Sequence, residues 1–101
     1  MISIATNDEL KMDYIATKIA NNEFYCKVMN ELKSAASQGK KMTNKFEWDK
    51  IDKPFDAEEF YDLFVNGLGF TILIEKFRKP TLNYFKVARM DSSGFYLYID
   101  L

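Results

Sequence analysis

The sequence predicts one α+β domain: two N-terminal helices, a short strand, a third helix, and then a three-stranded antiparallel meander with a helix packed on one face. Three observations carry that expectation. Thr6 with Glu9, and Asp56 with Glu59, have the spacing of capping boxes, and each pair is followed by apolar residues at helical intervals. The last third of the chain, Phe70 to Leu101, is rich in β-branched and aromatic residues that alternate with polar ones. Finally, 101 residues with 48% hydrophobic and 16% aromatic content are enough for one core and too apolar for a disordered chain.

Met1–Ala5 is short and apolar and reads as an extra edge strand or an unstructured end. The first helix starts after Thr6, carries Leu10, Tyr14, Ile15 and Ile19 on its apolar stripe, and ends at Asn21-Asn22. Phe24, Val28, Leu32 and Ala35 form a second stripe, with Gly39 as its C-terminal cap. The paired asparagines favour two helices over one, because their side chains compete for backbone bonds. A basic connector holding Lys40 and Lys41 follows, then Phe46 and Trp48 alternate with Glu47 and Asp49 as in a short strand, with Trp48 expected in the core. Asp56 is the N-cap of the third helix, Phe55 and Phe60 stand where a hydrophobic staple needs them, and Gly67 is expected to end that helix.

The meander is predicted over Phe70–Phe77, Leu82–Met90 and Phe95–Leu101. Pro80 breaks the first pair, and Asp91-Ser92-Ser93-Gly94 reads as a type I turn closed by a glycine bulge. That turn sets a register with Asp91 opposite Phe95 and Lys86 opposite Asp100. Phe70, Ile72, Ile74, Phe85, Val87, Leu97, Ile99 and Leu101 then share an apolar face. Thr71, Leu73, Glu75, Tyr84, Lys86, Ala88, Met90, Tyr96, Tyr98 and Asp100 share the other.

Several classes of chemistry find no support. Histidine is absent, which removes the commonest general base and metal ligand, and one cysteine cannot build a zinc site or an internal disulfide. Cys26 lies in a helical stripe and reads as a packed side chain. Gly67-Leu68-Gly69 runs from helix to strand, the reverse of a phosphate-cradling loop. Asp49, Asp52, Asp56, Glu58, Glu59 and Asp62 gather around a helix start, where the dipole favours carboxylates, and their spacing is not that of a calcium loop. The N-terminus lacks a signal-peptide pattern, no apolar run approaches about 18 residues, and the net charge of −1 exerts no global pull toward polyanions. A cytoplasmic location with no membrane association is the expectation.

The expected function is that of a small non-enzymatic binding protein, without cofactor, metal or catalytic residues, that occupies a surface on a macromolecular partner, first of all a protein. Tyr84, Lys86, Tyr96, Tyr98, Lys76 and Lys79 are the expected contact residues: rigid tyrosines on one sheet face beside a basic turn. The abundance of Asn, Lys, Ile, Phe and Tyr resembles AT-rich coding, and narrows the expectation to an inhibitor carried by a phage or mobile element against a host defence complex. The alternatives are a nucleic-acid-binding module using the basic, aromatic meander, and a small divalent-cation-dependent enzyme using the acidic cluster. Oligomeric state is left open.

Overall fold

The fold is that of a computed structural model, which describes residues 2–52 and 54–100. Helix α1 runs Asn7–Ala20, and its capping box forms: the Thr6 hydroxyl accepts the Glu9 amide at 3.2 Å, and the Glu9 carboxylate accepts the Thr6 amide at 3.5 Å. Helix α2 runs Glu23–Ser37, and the Asn22 side chain accepts the Tyr25 amide at 3.0 Å. The asparagine pair therefore separates two helices, and Gly39, at φ 73, closes the second. Ile2–Ala5 forms no strand, and Met1 lies outside the described residues.

Strand β1 is Phe46–Glu47 and passes into a 3-10 turn, Trp48–Lys50. Helix α3, Ala57–Phe60, starts on Asp56, whose carboxylate accepts the Glu59 amide at 3.0 Å. It continues into a π-helical segment, Tyr61–Gly67, whose wider turn closes with the Leu68 amide on the Leu63 carbonyl at 2.9 Å. Gly67 is not the residue that ends this helix by backbone freedom. Gly69 takes the left-handed conformation, at φ 80. Gly67 is small because a Cβ there would fall 2.7 Å from Ile15 Cδ1, so it lets α1 approach.

Strand β2 is Thr71–Ile74, β3 is Phe77–Arg78 and β4 is Gly94–Tyr98. With β1 they form a four-stranded sheet in the order β1-β4-β2-β3, with every pairing antiparallel. The α+β class with an antiparallel sheet is as expected, but the meander is not: the expected first strand, Phe70–Phe77, is split by a turn into β2 and β3, and the expected middle strand is a helix.

Leu82–Val87 is a helix, α4, followed by a 3-10 turn at Ala88–Met90. Its cause is local. Pro80 stops the preceding strand, and the Thr81 hydroxyl accepts the Tyr84 amide at 3.2 Å as an N-cap. Phe85 and Ala88, three apart, are the residues it buries, while Val87 is 53% exposed. The alternation of Tyr84, Phe85, Lys86 and Val87 satisfies a strand pattern and a helical one at once, and the cap decides between them.

The predicted register falls with that strand. β4 pairs with β2 (Thr71 with Tyr98, Ile72 with Leu97, Leu73 with Tyr96) and with β1 (Phe46 with Phe95, Glu47 with Gly94). The first turn is the two-residue loop Glu75-Lys76, with Ile74 opposite Phe77. Gly94 is not a positive-φ bulge; it lies within β4. Leu101, placed on the apolar face by sequence, lies outside the described residues.

The core fills the space between the inner sheet face and the helices. Ile72, Ile74, Leu97 and Ile99 come from the sheet side, and Tyr25, Val28, Leu32, Phe60, Leu63, Phe64 and Phe85 from the helices. Phe60 and Phe64 stack at 4.6 Å, and Phe95 packs against Phe60 at 5.3 Å and Phe85 at 5.2 Å. Trp48 is buried as expected, its indole N–H donating to Ser92 Oγ at 3.1 Å. Among the described residues, no helix is long and apolar enough to cross a membrane.

Candidate partner-binding face

The outer face of the sheet follows from alternation. Ile72 and Leu97 point into the core, so their neighbours Thr71, Leu73, Tyr96 and Tyr98 point away from it. Met42 bridges Tyr98 from the other side, and the connector that holds it is tied to β4 through Thr43: its amide donates to the Leu97 carbonyl at 3.0 Å, and its hydroxyl accepts the Leu97 amide at 3.1 Å. Met42, Leu73, Tyr96 and Tyr98 are half-buried and are not among the residues that pack on the core. The helices bury their apolar residues on the inner side. Among the described residues, the outer face is therefore left without a covering layer.

Arg78 completes this face. It lies opposite Leu73 across the β2–β3 pair. Its guanidinium stacks over the Tyr98 ring at 4.5 Å from the centroid and donates to the Tyr98 hydroxyl at 3.1 Å. The contact fixes a long cation in place before any partner arrives. Lys76 sits at the hairpin tip and Lys79 just past β3. Glu75 and Lys79 both take left-handed backbone conformations, at φ 54 and φ 52, which costs a non-glycine residue about 1–3 kcal/mol each.

Of the six residues singled out by sequence, Tyr96 and Tyr98 share this face, and Lys76 and Lys79 flank its basic edge through Arg78. Tyr84 and Lys86 do not join them. Tyr84, on α4, stacks on Phe77 at 5.0 Å, on the inner side of β3. Lys86 pairs with Glu58 at 3.2 Å rather than with Asp100, because α4 turns it toward α3. Arg78, Leu73 and Met42 are the residues that sequence reasoning left out of the site. Leu73 shares their face by strand period, Arg78 arrives through the β2–β3 hairpin beside the non-local β2–β4 pairing, and Met42 through its bridge to Tyr98.

Three of the six acidic residues around α3 are engaged in holding the fold. Asp56 caps α3, Glu58 pairs with Lys86, and Glu59 accepts the Tyr25 hydroxyl at 2.8 Å while standing 3.6 Å from Lys18. Burial and then the hydrogen bond to Glu59 push the Tyr25 phenol well above its ordinary pKa. Near β1, a hydrogen bond from Lys50 holds Glu47 below the usual carboxylate range. Among the described residues, no three acidic, histidine or cysteine side chains gather to hold a metal ion. Cys26 is half-buried, its thiol against the Ile19 carbonyl at 3.1 Å. No protein-family model, curated protein or solved structure matches the chain.

Proposed function

We propose that the chain is a non-enzymatic binding protein that works by laying its outer sheet face on a surface of another protein. The observation that carries this reading is the uncovered face itself: Tyr96, Tyr98, Leu73 and Met42 around an Arg78 already held on the Tyr98 ring. Tyrosine and arginine are the residue types that anchor protein interfaces, and a pre-placed arginine loses little freedom on binding. A protein is favoured over a single-stranded nucleic acid because the rings that would stack bases are engaged, Tyr98 under Arg78 and Tyr84 on Phe77. The narrowest form of the reading is an inhibitor carried by a phage or mobile element and directed at a host complex in the cytoplasm. Its support is the coding bias and the single unpaired cysteine.

Replacing Tyr96 and Tyr98 together by Thr tests the reading while keeping β-propensity. Partners are captured from lysate by the wild type and identified by mass spectrometry, with and without nuclease. The expected result is a protein partner that survives nuclease and is lost by the double variant, while the variant's melting temperature drops by only a few degrees. Capture unaffected by the double substitution, or abolished by nuclease, refutes it.

A further inference from the structure

The molecule carries two further exposed apolar patches, on elements remote in sequence from each other and turned away from the outer sheet face. The first is the arm Ile2–Tyr14, in which every residue is exposed. Ile2 and Ile4 are 87% and 90% accessible, and Leu10, Met12 and Tyr14 are about half accessible. Met12 lies one turn before Ile15, so the stripe that α1 buries at Ile15 and Ile19 continues past the body with nothing beneath it. The radius of gyration, 14.5 Å, exceeds the about 13 Å of a compact chain this long, as a projecting arm requires. The second patch runs from the β2–β3 hairpin along α4. Phe77 and Val87 are each 53% exposed and Met90 is 83% exposed, with Tyr84 stacked between Phe77 and the helix.

The charges on the two patches are opposite. The arm holds Asp8, Glu9 and Asp13 against Lys11, a net charge of −2. The stretch from Phe77 to Met90 holds no acidic residue, and with Arg78 held on the outer sheet face, Lys79, Lys86 and Arg89 leave the stripe a net charge of +3. Glu9 is engaged in its cap and Lys86 with Glu58, but Asp8, Asp13, Lys79 and Arg89 form no ion pair among the described residues. An acidic apolar segment and a basic apolar stripe on one chain, neither covered, complement each other between copies.

We infer that the arm Ile2–Tyr14 of one copy docks on the Phe77–Met90 stripe of a second, in a reciprocal two-fold dimer. A two-fold arrangement makes the contact twice and leaves no arm open to extend a filament. Burying Ile2, Ile4, Leu10 and Tyr14, with Met12 on the opposite side of α1 left out, removes about 100 Å² each, so each arm contributes about 400 Å² and the two reciprocal contacts, with a matching area from each stripe, exceed the about 1,200 Å² at the low end of stable interfaces.

Sedimentation velocity over micromolar to millimolar concentrations tests this on the full chain. The wild type is expected to move from the 11.8 kDa monomer to twice that mass. Ile4→Ser with Leu10→Ser and Tyr14→Ser on the arm, or Val87→Ser with Met90→Ser on the stripe, should each raise the dimer dissociation constant tenfold or more, and added salt should raise the wild-type constant. Circular dichroism should show both variants folded, since every substituted residue is exposed. Tyr96→Thr with Tyr98→Thr should dimerise like the wild type, which separates this contact from the partner-binding face. A wild type monomeric throughout overturns the inference. So does a dimer whose constant either the arm or the stripe variant leaves unchanged, or one that the tyrosine variant dissolves.

Discussion

Adding one methyl group at Gly94 probes how closely β1 lies on β4. An ideal Cβ at Gly94 falls 2.9 Å from Glu47 Cα and 2.9 Å from the Phe46 carbonyl carbon, and closer still to the Phe46 carbonyl oxygen. All three atoms are backbone, so no side-chain rotation relieves the overlap and the two strands must part. Overpacking of this kind costs about 1–3 kcal/mol, and weakening a hydrogen bond in the β1–β4 ladder adds about 1 kcal/mol. Gly94→Ala should therefore cost about 3 kcal/mol, which at an m-value of about 1.5 kcal/mol/M moves the urea midpoint down by about 2 M. Gly39→Ala is the control: nothing lies within 4 Å of its Cβ, and only the φ of 73 is strained, so it should cost about 1–2 kcal/mol. Trp48, the single tryptophan, follows β1 in sequence and packs 5.0 Å from Phe95, so its fluorescence reports the same junction. A Gly94→Ala midpoint equal to wild type, or higher than that of Gly39→Ala, would refute the close pairing of β1 with β4.

Two other perturbations give graded outcomes. Phe60 is fully buried among six aromatic neighbours, so Phe60→Ala should cost about 4 kcal/mol, whereas Asp56→Ala removes one N-cap and should cost about 1 kcal/mol; chemical denaturation showing the reverse order would contradict the assigned roles. Tyr25 has a folded pKa above its ordinary value of 10.0, so the unfolded chain ionises first as pH rises. Its contribution to stability is full below pH 10 and is lost above it, and Tyr25→Phe should flatten the alkaline fall in urea midpoint; an unchanged slope counts against the buried phenol.

The parts of the fold that were legible in sequence rest on local chemistry. Thr6 with Glu9, Asn22 and Asp56 each cap a helix through a neighbour three residues away, and Phe55 meets Phe60 at 5.7 Å as the staple requires. The alternation in β2 and β4 sorted Ile72, Ile74 and Leu97 inward correctly. What failed had one local and one distant source. Leu82–Met90 alternates well enough for a strand, but Thr81 offers a helix cap that reading Pro80 only as a strand break passes over. Gly94 was assigned to a turn because its true partner, Glu47, lies 47 positions away in a two-residue strand. The tyrosine face was half legible for the same reason: Tyr96, Tyr98 and Leu73 follow from strand period, while Arg78 and Met42 reach them only through pairing.

The two-residue length of β1 and β3 has a consequence for how anything can attach to this sheet. They are its outermost strands, and they shield the longer β4 and β2 from solvent on both sides. Past β3 the chain turns left-handed at Lys79 and meets Pro80, which has no amide hydrogen to offer. So short a rim presents too few free amides and carbonyls to template an incoming strand, which guards the protein against edge-to-edge aggregation. It also closes the route by which many peptide-binding domains recruit ligands, through β-strand addition. Recognition through this sheet must then be read out by side chains rather than by backbone ladders, and its specificity is open to change by point substitution.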